Sequence, residues 1–187
     1  MRRFILILLL ISVTGCSIPL PDPKVVFGPK ELPQANIPGK CRQWNWSQGR
    51  NGGSCVHATC IMLFRWAGQP TLAAWWRNNH GGGEAPHRLA SKLDRAGIPY
   101  AMTFKEGDIE FLEWACNTRR GCGVGIYGRA HMVVLVGLTD KWAILLDPNA
   151  ITQFTYIPRE TFINEWLWSD SWAVAFCLPP CPPKTVL

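Results

Sequence analysis

The chain has 187 residues, with 19 Lys and Arg against 13 Asp and Glu, for a formal net charge of +6. The basic residues are scattered and form no run, which argues against nucleic-acid binding and suits a protein facing an anionic envelope surface. The length allows one domain with a single core beside its terminal segments.

Met1-Arg2-Arg3 is a short basic start, Phe4 to Ser12 is apolar, and Val13-Thr14-Gly15-Cys16 follows. The apolar run is too short to span a membrane and reads as a secretory signal. Its ending resembles the lipobox of bacterial lipoproteins, which implies removal of residues 1–15 and a lipid on Cys16 as the membrane anchor. A plain secretory signal with a chance cysteine is the alternative. Ser17 stands where an aspartate would be the usual inner-membrane retention signal, so the resemblance implies the outer membrane if the cell has two. Loss of Arg2 and Arg3 leaves 17 basic side chains against 13 acidic, a net +4. Residues 16–40 hold Pro19, Pro21, Pro23, Pro29, Pro33 and Pro38 without apolar periodicity, as expected of an extended tether. The domain is expected over 41–178, with an irregular tail over 179–187.

Gly52-Gly53-Ser54-Cys55 opens the first helical pattern, with Ser54 as expected N-cap and Gly68 as the stop after Ala67. Cys55 then meets the positive end of the helix dipole, which favours the nucleophilic thiolate. Taken alone, it reads equally well as a buried or disulfide-bonded cysteine. Short helices are predicted over Thr71 to Asn78 and Pro86 to Ala96, a strand over Ile98 to Phe104, and a helix capped by Asp108 through Cys116. Strands follow over Val124 to Tyr127, Ala130 to Leu138, Trp142 to Asp147 and Thr152 to Ile157. A helix opening at Pro158 and a strand over Trp172 to Cys177 complete the chain. Helices come first and strands after, the order of an α+β domain with an antiparallel sheet.

Once Cys16 is lipidated, seven cysteines remain, so at most three disulfides form and one thiol stays free. With Cys55 as the free one, Cys116/Cys122, Cys177/Cys181 and Cys41/Cys60 is one connectivity among several. No pair has the C-x-x-C spacing, so neither a metal nor another cofactor is expected.

His131 leads a very apolar strand and Asp147 ends the next one, before Pro148. A hairpin centred on Thr139 would set the two directly opposite each other, ~5 Å apart at Cβ, where a carboxylate fixes an imidazole's tautomer. Asn149, two residues on, is an alternative orienting group. By itself the pair also fits a strand start and a strand end with no chemistry.

The order of Cys55, His131 and Asp147, with G-S-C, H-M-V-V-L-V-G, L-D-P and F-I-N-E-W, resembles papain-like cysteine peptidases, nearest the double-glycine leader peptidases. That resemblance implies a papain-like fold, Cys55 as nucleophile, His131 as base and Asp147 as its orienting acid. It further implies Gln48, seven residues before Cys55, as side-chain donor of the oxyanion hole beside the Cys55 N–H. Asn45 and Asn51 are alternative donors. Leader peptidases work in the cytoplasm as part of an exporter, whereas this signal points outward, so their substrate does not carry over.

His57, two residues from Cys55 on the helix, faces another way and is a poor base. His80 and His87 flank a glycine loop as metal or cleft candidates, or as plain loop polarity. Trp44 and Trp46 bracket the oxyanion segment as a substrate-contacting wall, while Trp66, Trp75, Trp114, Trp166 and Trp172 fall on apolar faces and are expected in the core. The sequence thus suggests a monomeric, lipid-anchored thiol peptidase acting on polypeptides. Peptidoglycan cleavage or transglutaminase-like acyl transfer on the same triad, and a surface binding lipoprotein with a retired site, are the competing readings.

Overall fold

The computed structural model describes residues 32–49 and 52–178. Its centre is helix α1 (Cys55–Trp66), in which every side chain except Arg65 is buried. A helix apolar all round must be covered on all sides, and here neighbouring helices and a sheet cover it. A two-stranded ladder, β1 (Gln48–Gly49) with β2 (Gly52–Gly53), precedes it. After it come α2 (Pro70–Asn79), α3 (Pro86–Arg95), β3 (Tyr100–Thr103) and α4 (Ile109–Asn117), then β4 (Cys122–Ile126), β5 (His131–Leu138), β6 (Trp142–Leu146) and β7 (Thr155–Pro158), and finally α5 (Arg159–Trp168) and β8 (Ala173–Phe176). Pro70 and Pro86 each occupy a first helical turn, where a missing N–H costs nothing, and Asp108 caps α4 by accepting the Phe111 N–H at 2.9 Å.

The fold is α+β, with the expected antiparallel sheet, in the order β3-β8-β4-β5-β6-β7. The helices do not all precede it. Met132, Val134, Val136, Ile144, Leu146, Val174 and Phe176 face α1, whereas Val133, Leu135, Leu145, Ala173 and Ala175 face Leu112 and Cys116 of α4 and Phe162 and Trp166 of α5. Strand alternation supplies both sets at once. Ala35 and Ile37, within the Pro-rich stretch, are fully buried in the α1 side of the core.

α1 lies close to the sheet because Gly123 has no side chain. A Cβ there would stand 2.8 Å from Thr59 Cγ2 and 3.1 Å from Met132 Sδ. Thr59, one turn beyond Cys55, donates its hydroxyl to the Met132 carbonyl at 3.4 Å. This contact brings the start of α1 to the residue beside His131.

The hairpin register differs from the expected one. Leu138 pairs with Ala143, Leu135 with Leu145 and Val134 with Leu146, with a β-bulge between Leu135 and Gly137. Continued, that register sets Asp147 beside Val133, two residues from His131. Thr139 closes the turn by donating its N–H to the Trp142 carbonyl at 2.8 Å. Groups freed at the bulge are met from outside the sheet: Ala35 N–H donates to the Val136 carbonyl at 2.8 Å, and the Gln34 amide takes the Leu138 N–H at 3.1 Å and donates to its carbonyl at 3.2 Å.

The expected disulfides Cys41/Cys60 and Cys116/Cys122 are not formed. Cys60, Cys116 and Cys122 are fully buried free thiols. Cysteine parity counts bonding partners, but these three side chains serve as small apolar core residues. Burial pushes all three thiols up, Cys116 to about 12. Cys177 is free and exposed, and Cys181 lies outside the described residues, as does Cys16. Of the tryptophans expected inside, Trp66, Trp166 and Trp172 are buried, whereas Trp75 and Trp114 are 44% and 38% exposed. Both lie on helices that show one face to solvent, and the fully buried indole of α2 is the next residue, Trp76.

Because Gly123 sets the spacing between α1 and the sheet, Gly123→Ala is expected to destabilise the domain by about 1–3 kcal/mol, the usual cost of overpacking. Urea unfolding of the two proteins measures it.

Candidate active site

Gly52, at φ +84°, turns the β1–β2 ladder toward α1, and Cys55 follows as the first helical residue, 7% exposed. Ser54 does not cap the helix. Its hydroxyl instead accepts the N–H groups of Trp46 and Ser47 at 3.0 and 3.1 Å and donates to Asn45 Oδ1 at 2.8 Å. The serine therefore ties the segment before β1 to the start of α1, and no side chain caps the first helical turn. The positive end of the dipole is left facing Cys55.

His131 begins β5. Its Nε2 lies 2.8 Å from Asp147 Oδ1, and the Cys55 side chain interacts with the same imidazole. His131 and Asp147 are 13% and 14% exposed, so solvent weakens the ion pair little. They meet diagonally across the strands and not directly opposite, because the turn lies further along the chain than Thr139 and the bulge intervenes. The hydrogen bonds of Asn149 run to Asp147 and Asn45. Its backbone N–H donates to Asp147 Oδ1 at 2.7 Å and its side-chain oxygen accepts from Asn45 Nδ2 at 3.1 Å.

Burial alone would lower the proton affinity of His131. The hydrogen bonds to Asp147 and Cys55, with the charges behind them, outweigh it and push the imidazole from 6.5 up to about 10. At neutral pH it is an imidazolium, the partner that a thiolate requires.

The backbone of Gln48 pairs with Gly53, so the seven-residue spacing to Cys55 is taken up by a ladder folded back on itself. The Gln48 side chain and Asn51 lie outside the described residues. Asn45 turns its Nδ2 toward Asn149. Trp44 is 49% exposed, and Trp46 is half-buried beneath the Arg77 guanidinium, 3.5 Å from the ring centroid.

His57 is fully buried and accepts the Trp76 indole N–H on Nδ1 at 3.2 Å. Burial, then Lys92, pushes it down to about 4, so it is neutral, and its ring nitrogens are turned to Trp76 and Glu84. His80 stacks on His57 with ring centroids 5.7 Å apart, Glu84 is held by Lys92, and His87 is exposed on α3. Among the described residues no three His, Cys, Asp or Glu side chains converge as a metal site.

A cavity of about 490 Å³ opens on the α5 side of the sheet, lined by Ile126, Tyr127, Leu145, Phe162, Glu165 and Trp168 among others. Ile126 is the register partner of His131. The sequence carries no local signal for this cavity, since its walls come from β4, β6, β7 and α5.

The chain matches no protein-family model and no curated protein by sequence. Its fold is similar to that of a Bacillus anthracis protein described as a C39-like peptidase, with a TM-score of 0.60 and 13% identity over 80% of this chain and 98% of that one. It is also similar to a double-glycine-motif protease from an AMS/PCAT transporter, solved in complex with its leader peptide, with a TM-score of 0.51 and 18% identity over 81% of this chain and 96% of that one. At these identities the likeness establishes a shared fold.

The raised His131 makes a pH signature. Because its proton affinity is higher folded than unfolded, the ion pair's stabilisation is complete below pH 6.5 and is lost as pH rises through about 10. Asp147→Asn is expected to remove most of that rise, and NMR titration of the imidazole in both proteins reads it directly.

Proposed function

We propose that this chain is a thiol peptidase that hydrolyses polypeptides through an acyl-enzyme, with Cys55 as nucleophile, His131 as acid–base and Asp147 as its orienting carboxylate. The observation that carries the reading is His131 interacting with both Asp147 and Cys55 at a helix N-terminus, within a fold shared with C39-like peptidases. A neighbour of this fold solved with a peptide bound supports a polypeptide substrate.

In this mechanism the Cys55 thiolate adds to the scissile carbonyl carbon. The carbonyl oxygen takes up negative charge facing the Cys55 N–H, with Gln48 as the side-chain donor that the family resemblance implies. The C–N bond then breaks as His131 gives its proton to the departing amine, leaving a thioester and a neutral imidazole. Water next adds to the thioester carbon while the imidazole removes its proton. Collapse releases the carboxyl product and restores the thiolate–imidazolium pair. Trp44, exposed beside the nucleophile loop, would lie against the peptide. A lipid on Cys16 would tether the domain, as a monomer, to the bacterial cell envelope, at the outer membrane where there are two membranes, and so confine it to nearby polypeptides.

Cys55→Ala is expected to abolish cleavage of a denatured protein or peptide library while thermal unfolding stays nearly unchanged. An epoxide inhibitor of thiol peptidases should modify Cys55, located by mass spectrometry, and purified peptidoglycan should stay intact. Release of muropeptides without peptide cleavage would move the reading to a wall hydrolase, and absence of both activities to a retired site. Trp44→Ala should raise KM more than it lowers kcat, as loss of uniform binding does. Cys16→Ser should release the protein from the membrane fraction.

A further inference from the structure

Asn45 joins three segments of the site. Its backbone N–H donates to the Pro148 carbonyl at 2.9 Å, and its Nδ2 donates to Asn149 Oδ1 at 3.1 Å. Its Oδ1 accepts both the N–H and the hydroxyl of Ser54, each at 2.8 Å. Ser54 immediately precedes Cys55. Asn149 in turn gives its N–H to Asp147 Oδ1 at 2.7 Å, the same oxygen that lies 2.8 Å from His131 Nε2. An unbroken path of hydrogen bonds therefore runs from the residue before the thiol to the carboxylate on the imidazole. Room for it is provided by Gly53, where a Cβ would stand 2.8 Å from Asn45 Nδ2 and 3.4 Å from its Oδ1.

We propose that Asn45 is a positioning residue for the thiol site: it locks the loop carrying Asp147 to the N-terminal end of the helix carrying Cys55. The proposal rests on the peptidase reading of Cys55, His131 and Asp147. The need for such a lock follows from chain topology. Cys55 belongs to a helix and Asp147 to the loop after β6, 92 positions further along the chain, and the side chain of Asn45 joins residue 149 of that loop to Ser54, the residue before the helix. A primary amide suits the task because it accepts two hydrogen bonds on one side and donates on the other, so its orientation is set by its partners. Ala in its place loses every side-chain bond, and a methyl at Gly53 pushes the amide off its partners.

The test compares wild type, Asn45→Ala, Gly53→Ala, Asn149→Ala and the Asn45→Ala/Asn149→Ala double variant in cleavage of a denatured, fluorescently labelled polypeptide, across pH. Asn45→Ala should lower kcat on the order of 10²-fold, the scale of a small misplacement of reacting groups, with KM little changed. The alkaline limb of its rate profile should move to lower pH, because Asp147 no longer presses on His131. Gly53→Ala should show the same pattern. Asn149→Ala should cost about fivefold, the worth of one neutral hydrogen bond, and should add nothing further in the Asn45→Ala background. A lower melting temperature with kcat and the alkaline limb unchanged would make Asn45 merely structural and overturn the proposal, as would effects of Asn45→Ala and Asn149→Ala that multiply. Should Asn45→Ala not fold, Gly53→Ala and Asn149→Ala decide it on the same two readouts. A wild-type chain that cleaves nothing, and whose Cys55 is alkylated by iodoacetamide no faster than exposed Cys177, would instead sink the peptidase reading and this proposal with it.

Discussion

The bulge between Leu135 and Gly137 sets the face on which the site is built. Residues directly opposite in an antiparallel pair share a face, and a slip of one residue moves every later side chain to the other. Beyond the bulge Gly137 pairs with Ile144, and before it Leu135 pairs with Leu145. Were the outer register continued, Asp147 would stand opposite Val134, one residue out of step with the alternation that His131 shares with Val133. The inserted residue restores Asp147 to the face of His131, and the two close to 2.8 Å. A bulge frees backbone groups, and here Gln34 and Ala35 satisfy them. Residues just outside the composition-based domain boundary thereby support the geometry of its acid–base pair.

A second constraint is the distance of α1 from the sheet. Glycine at 123 lets Thr59 reach the backbone of Met132, and that contact fixes where the helix begins relative to β5. The thiol and the imidazole are thus brought together by core packing, and the carboxylate joins them by strand register. Hydrogen bonds through Ser54, Asn45 and Asn149 then connect the nucleophile's helix to the acid's loop. Each device acts at a different level, and each relies on a small residue or a side-chain amide more than on apolar bulk.

The electrostatics follow from the same layout. His131 is buried enough that water screens it little, yet it has a carboxylate on Nε2 and interacts with the Cys55 thiol, so its proton is held well into the alkaline range. His57, only two residues from Cys55, is buried against Trp76 beside another histidine and a lysine and is driven the opposite way. Two histidines near one thiol are separated by environment into an ionised one and a neutral one, which is how a fold assigns roles that residue type alone leaves open.

Local pattern determined a great deal here. Pro at the opening of α3, the Asp108 cap and the apolar runs of β5 and β6 all follow from interactions within a few residues, and they stand where periodicity and capping set them. The resemblance carried by G-S-C, H-M-V-V-L-V-G and L-D-P pointed to three side chains that interact in the fold. Tertiary structure decided what depends on partners distant in sequence. Ser54 spends its hydroxyl on Asn45 and the 46–47 backbone instead of capping, because that segment folds back over it. Cys60, Cys116 and Cys122 fill the core as thiols, since burial against the sheet satisfies them without bonds to one another. Trp75 lies outside and Trp76 inside because a one-residue step turns 100° around a helix, and only the position of α1 decides which direction is inward. The register of β5 and β6 turned on one extra residue whose cost is met by Gln34, about a hundred positions away, and no window on the sequence around the hairpin contains that partner.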